Sequence, residues 1–134
     1  MRWSRFRLLV GAASVVLLMG GCASSAGIPA RQASDHFHEA FDSHDGSSAC
    51  ALLAPRTRSE VAQSAGKPCP QAVLEEKIPS VGAAQRVSVF GPDAQVRYAT
   101  EAVFLSRYGG TWLVVAAGCT PVANDQYDCE VSGG

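Results

Sequence analysis

All three histidines fall within Asp35-His36-Phe37-His38-Glu39-Ala40-Phe41-Asp42-Ser43-His44-Asp45, the one stretch whose residue types suggest metal chemistry. On a helix His36 and His38 stand about 200° apart, so they cannot share an ion. His38 and Asp42, four residues apart, can meet on one face, but two ligands do not make a site. The expectation is a solvated helix face, with His44 favoured near the helix end by the dipole. No metal and no cofactor is expected. General acid–base chemistry needs a carboxylate, His or Tyr facing a cavity, and Glu101, Tyr98 and Tyr108 lie on or beside predicted strands with Arg97. Alternation on a half-exposed sheet accounts for Glu101 and Arg97, and an inner-face tyrosine is accounted for by packing. G-x-S-x-G, P-loop and G-x-G-x-x-G signatures are absent. No catalytic residue is assigned, and an enzyme is not expected.

A fourth reactive position lies near the start. Arg2, Arg5 and Arg7 precede an apolar run from Leu8 to Met19, and Gly20-Gly21 stand before Cys22. That is the layout of a secretory leader, and its apolar run is shorter than the ~20 residues of a permanent bilayer span. Leu18-Met19-Gly20-Gly21-Cys22 resembles the lipobox of bacterial lipoproteins. The resemblance implies that residues 1–21 are removed and that Cys22 is the lipid-attachment site, acylated as with palmitate. The mature protein would then sit on the outer, extracytoplasmic face of the cell membrane. At ~0.8 kcal/mol per buried CH₂, two or more acyl chains give a stable anchor.

The precursor's 11 Lys+Arg and 12 Asp+Glu give a net charge of −1. Without Arg2, Arg5 and Arg7, eight basic residues face twelve acidic ones, a net charge of −4. That balance excludes nucleic acid as an expected partner, since no basic excess exists to meet phosphates. It also predicts repulsion from an anionic membrane surface. Ala23 to Gln32 (ASSAGIPARQ) reads as a flexible leash, with a mean reach of roughly 15–20 Å. The expected organisation is therefore a signal peptide over 1–21, a lipidated cysteine and linker over 22–33, and one domain over 34–134.

Four cysteines remain: Cys50, Cys69, Cys119 and Cys129. An even number outside the cytoplasm suggests two disulfides, for which three connectivities exist. Cys50–Cys69 with Cys119–Cys129 is the favoured pairing, each bridge closing a modest loop worth about 2–4 kcal/mol. The second is expected to matter more, as the main attachment of a C-terminal strand that would otherwise fray. Zinc ligation wants C-x₂₋₄-C spacing, which is not present, and there is no C-x-x-C redox pair.

The elements that must position these groups follow from periodicity. Ser34 is the expected N-cap of a first helix with an apolar stripe at Phe37, Ala40, Phe41 and His44, ended by Gly46. Further helical segments are expected over 49–54, 57–65 and 71–78. After Pro79 the period becomes alternating, predicting strands over 86–90, 94–99, 102–108 and 111–117, with a short edge strand over 127–131. The strand over 111–117, the most apolar, is placed centrally. Val87, Val89, Val96, Tyr98, Phe104, Trp112, Val114 and Ala116 are the expected inner face. Helices followed by hairpin-linked strands define an α+β fold.

Ala49-Cys50-Ala51-Leu52-Leu53-Ala54-Pro55, Cys69 ahead of a helix, Trp112-Leu113-Val114-Val115-Ala116-Ala117-Gly118-Cys119 and Tyr127-Asp128-Cys129 resemble small actinobacterial lipoproteins with a nuclear-transport-factor-like, cystatin-like cone. The resemblance implies helices packed on a curved antiparallel sheet of four to five strands, the same cysteine pairing, and a cavity that some members use for binding and others for catalysis. A fold alone does not choose between them. The expectation is a membrane-tethered binding or accessory module, with a small hydrophobic ligand or an envelope protein as partner. The rivals are a small cavity enzyme, isomerase- or dehydratase-like, and a structural envelope-interaction protein.

Overall fold

In the computed structural model, residues 25–133 are described; the expected leader, the lipobox-like run and Cys22 lie outside them. Four α-helices and a 3₁₀ turn precede five strands, as α1 (Gly27–Asp42), α2 (Gly46–Ala51), α3 (Pro55–Ala65), α4 (Cys69–Ala72), the turn Val73–Glu75, then β1 (Arg86–Phe90), β2 (Asp93–Arg97), β3 (Ala102–Tyr108), β4 (Thr111–Pro121) and β5 (Tyr127–Ser132). The strands form one antiparallel sheet in the order β1-β2-β3-β4-β5, covered on one face by the helices. The fold is α+β, and the sheet is not closed into a barrel.

α1 starts at Gly27, not after Ser34, so residues 27–32 are helix and not leash. The reason is burial: Gly27 lies against Val87 of β1, where a Cβ would come within 3.2 Å of Val87 Cγ1, and Ala30 is fully buried. Ser34, expected as the N-cap, is instead a buried mid-helix residue. Gly46 does not end α1; it opens α2, which Asp45 caps by accepting from the Ser48 N–H. Gly46 is required there because a Cβ would fall 1.9 Å from the Pro70 carbonyl oxygen of α4. The Arg58 guanidinium of α3 donates to the carbonyl oxygens of Cys50, Ala51 and Leu53, satisfying acceptors that a helix end leaves open.

Both expected disulfides form, Cys50–Cys69 between α2 and α4 and Cys119–Cys129 between directly opposed residues of β4 and β5. β4 is internal but lies beside the edge strand β5, while β3 holds the middle of the sheet. Beyond the end of β5, the free edge of β4 is taken by the segment after α2: Ala54 donates to the Val114 carbonyl and Val114 donates to that of Leu52. Two register shifts between β3 and β4 bring Phe104 opposite Ala116 and Ala102 opposite Cys119. Gly118, at φ 66°, supplies the left-handed residue on β4 at this irregularity.

The shifts decide the faces. Val96, Val103, Leu105, Val114, Ala117 and Val131 enter the main core with Phe37, Leu53 and Val73. Phe104 and Ala116, expected inside, belong to a smaller cluster with Ala102, Tyr127 and the Cys119–Cys129 bridge. Val96 of β2 pairs with Val103, and that register sends Val103 and Leu105 inward and Phe104 out.

Candidate functional site

The four-residue spacing along α1 places Ser34 and His38 on its buried side, one turn apart, over the end of β2 and the turn that leads into β3. That turn is closed by the Tyr98 N–H donating to the Glu101 carbonyl, which points Tyr98 and Glu101 back toward the helix. His38 Nε2 and Glu101 Oε1 approach to 2.6 Å. Their side chains are only 4% and 0% exposed, so this contact is out of water. The contact is not a formed hydrogen bond, and both His38 ring nitrogens and both Glu101 carboxylate oxygens lack a hydrogen-bond partner among the described residues. Two readings made from the sequence are therefore corrected. His38 is not on a solvated face, because α1 turns it toward the sheet. Glu101 is not a solvent-side strand residue, because it sits in the turn before β3 and faces inward.

Beside this pair, the Tyr98 hydroxyl lies 2.8 Å from Ser34 Oγ and 2.7 Å from Asp35 Oδ1. Having one proton, it donates to the carboxylate and accepts from the serine. Burial first, and then the Asp35 and Glu101 carboxylates, raise the phenol pKa far above its usual value against the opposing hydrogen bond of Ser34, so Tyr98 is a neutral donor. The His38 and Tyr98 rings meet edge-on at 5.1 Å. Ser34, Asp35, His38, Tyr98 and Glu101 thus form one polar line between α1 and the sheet. A cleft of about 110 Å³, lined by Tyr98, Thr100, Glu101 and Tyr127, is the opening beside it. Nothing larger than a few solvent molecules fits that volume.

The other histidines are elsewhere. His36 lines an open polar cleft between α1 and α2 with Glu39, Ser43, Asp45 and Ser48. His44 follows the helix at φ 57°. Asp42, the candidate co-ligand of His38, accepts from Ser80 instead. Among the described residues no three His, Cys, Asp or Glu side chains are grouped to hold a metal ion.

The opposite face of the sheet is open. Two adjoining clefts, of about 310 and 520 Å³, share Phe104 and Val115. The first continues to Phe90 and Gln95, and the second to Tyr108 and Arg56. Together they make a trough with aromatic walls, apolar around Phe104 and Val115 and mixed in polarity toward Arg56 and Thr57. Phe104 packs edge-on against Tyr127 at 5.0 Å, whose hydroxyl accepts from Gln95 Nε2.

Sequence reading missed both features. Apolar spacing in α1 groups Phe37 with Ala40 and Phe41, and no pattern marks a buried histidine whose partner is 63 residues away. The trough depends on the register shifts, which have no signal beyond Gly118. The chain matches no protein-family model, no curated protein and no solved structure.

Proposed function

We propose that the protein is a membrane-anchored lipoprotein on the outer face of the cell membrane, acting as a binding or accessory module and not as an enzyme. The observation that carries the binding reading is the contrast between the two polar–apolar features. The His38–Glu101 pair is sealed from solvent, so no substrate touches it, whereas the Phe104–Val115 trough is open and large enough for a ligand. Aromatic walls with Arg56 and Gln95 at the ends suit a hydrophobic or amphipathic small molecule. Two disulfides support an extracytoplasmic address, and the lipobox-like run before Cys22 supports the anchor.

The cavity-enzyme alternative draws on the unpartnered atoms of His38 and Glu101, but it requires the cleft at Tyr98 to widen. Native mass spectrometry of the protein extracted from its own membranes tests the binding reading. A retained small molecule is expected, lost in Val115→Arg, which fills the trough. Retention unchanged in that variant, or loss in Glu101→Gln alone, overturns the assignment to the trough.

A further inference from the structure

The anchor's distance from the fold decides how the domain stands on the membrane. Five peptide steps separate Cys22 from Gly27, and fully extended chain covers at most about 17 Å over that length. Gly27 is already packed between Val87 and Val89, near the middle of β1. β1 is an edge strand, so the tether leaves the domain beside a free sheet edge.

The side chains on that edge are unusual for a surface facing water. Ile28, in the first turn of α1, is 50% exposed, and Phe90, the last residue of β1, is 64% exposed. They are two of the four large hydrophobic residues exposed among the described residues. Arg86, at the other end of β1, stands directly opposite Arg97 of β2. Like charges in directly opposed positions repel, and neither arginine has a carboxylate partner among the described residues. The third nearby cation, Arg31, is paired with Asp35 at 3.6 Å. Besides Asp35, the acid Asp93 faces Phe90 across the hairpin, and its carboxylate is bound to Ser106.

From this placement we infer that the β1 edge is a bilayer-docking surface. Ile28 and Phe90 enter the headgroup layer on either side of the anchor, and the unpaired Arg86–Arg97 couple meets the phosphates of anionic phospholipids. The inference rests on the lipoprotein reading of Cys22. It reverses the standoff expected from net charge, because two arginines without a carboxylate partner among the described residues stand at this edge and fields fade over about 8–10 Å at physiological salt. Docked this way, the trough opens toward the membrane at Phe90.

The full-length protein, reconstituted after processing in vesicles of equal parts phosphatidylcholine and phosphatidylglycerol, provides the test. Phe90→Trp and Val122→Trp place a reporter at the docking edge and at the β4–β5 turn, over the shared background of buried Trp112. Brominated lipid should quench the Phe90→Trp signal at least about twofold more than the Val122→Trp signal, as an apolar side chain seated about 5–10 Å into the interface requires. Arg86→Glu in the Phe90→Trp background should remove most of that excess. Ile28→Trp serves as a second reporter should Phe90→Trp disturb the hairpin. The acyl mass on the Cys22 peptide is scored separately. Acylation with equal quenching at both sites overturns the docking and leaves the anchor standing, whereas absence of acylation overturns both.

Discussion

Phe104 and Leu105 are neighbours on β3 and meet opposite environments. Leu105 is 1% exposed in the core under the helices, while Phe104 joins the small cluster on the outer face and walls an open trough. The same contrast holds across the molecule. The contact between α1 and the sheet is closed around His38 and Glu101, with Tyr98 beside them held by Ser34 and Asp35. The outer side leaves apolar surface in water. A face that seals its polar groups is built for stability, and one that exposes its apolar groups is available for recognition.

The largest expected effect lies in the sealed pair. Glu101→Ala leaves His38 buried without its partner and should cost about 3–5 kcal/mol in chemical denaturation. The double variant His38→Leu/Glu101→Leu should recover most of that loss, because two apolar side chains remove the need for pairing. A single-variant cost below about 1 kcal/mol would show that the pair is hydrated and that this face is not sealed.

The adjacent positions on β3 sharpen the contrast next. Leu105→Ala should cost about 2–5 kcal/mol as a core truncation. Phe104→Ala should cost about 1–2 kcal/mol although it removes more atoms, since only part of its ring leaves water on folding. Equal losses in urea titrations would mean that the outer cluster is a second core and not a recognition face.

The smallest effect separates the two disulfides. Sequence reasoning makes Cys119–Cys129 the main attachment of the last strand. The structure shows β5 also held by its ladder to β4, by Val131 at 1% exposure, and by the Gly133 N–H on the Val115 carbonyl. Cys50–Cys69 instead joins helices of six and four residues, too short to persist alone, and closes the longer loop, of 19 residues' separation against 10. The Cys50→Ser/Cys69→Ser variant should therefore lose more stability than Cys119→Ser/Cys129→Ser, by at least the ~0.6 kcal/mol of a doubled loop. Thermal melts in which the second variant is the weaker would restore the sequence-based order.

Local chemistry carried the sequence reading a long way. Alternation and turn residues placed β1 and β3 at their observed bounds, and Gly66, at φ 62°, ends α3 as its position suggests. Helix starts were less legible. Gly27, Ile28 and Pro29 resemble a linker in composition, and only contact with Val87 makes them helix.

The sequence by itself determined the class of fold, the change from helical to alternating period at Pro79, and the cysteine pairing it favoured. Each follows from neighbours in the chain or from turn chemistry, which act at short range. Tertiary structure alone decided which side of β3 is core, because Ala102-Val103-Phe104-Leu105 is apolar in both phases and only the Val96–Val103 pairing breaks the tie. It alone joined His38 to Glu101, since burial of a polar side chain depends on a partner brought from a distant segment. It also set α1 on the β1 edge, where packing against two valines overrides a weak local preference for coil.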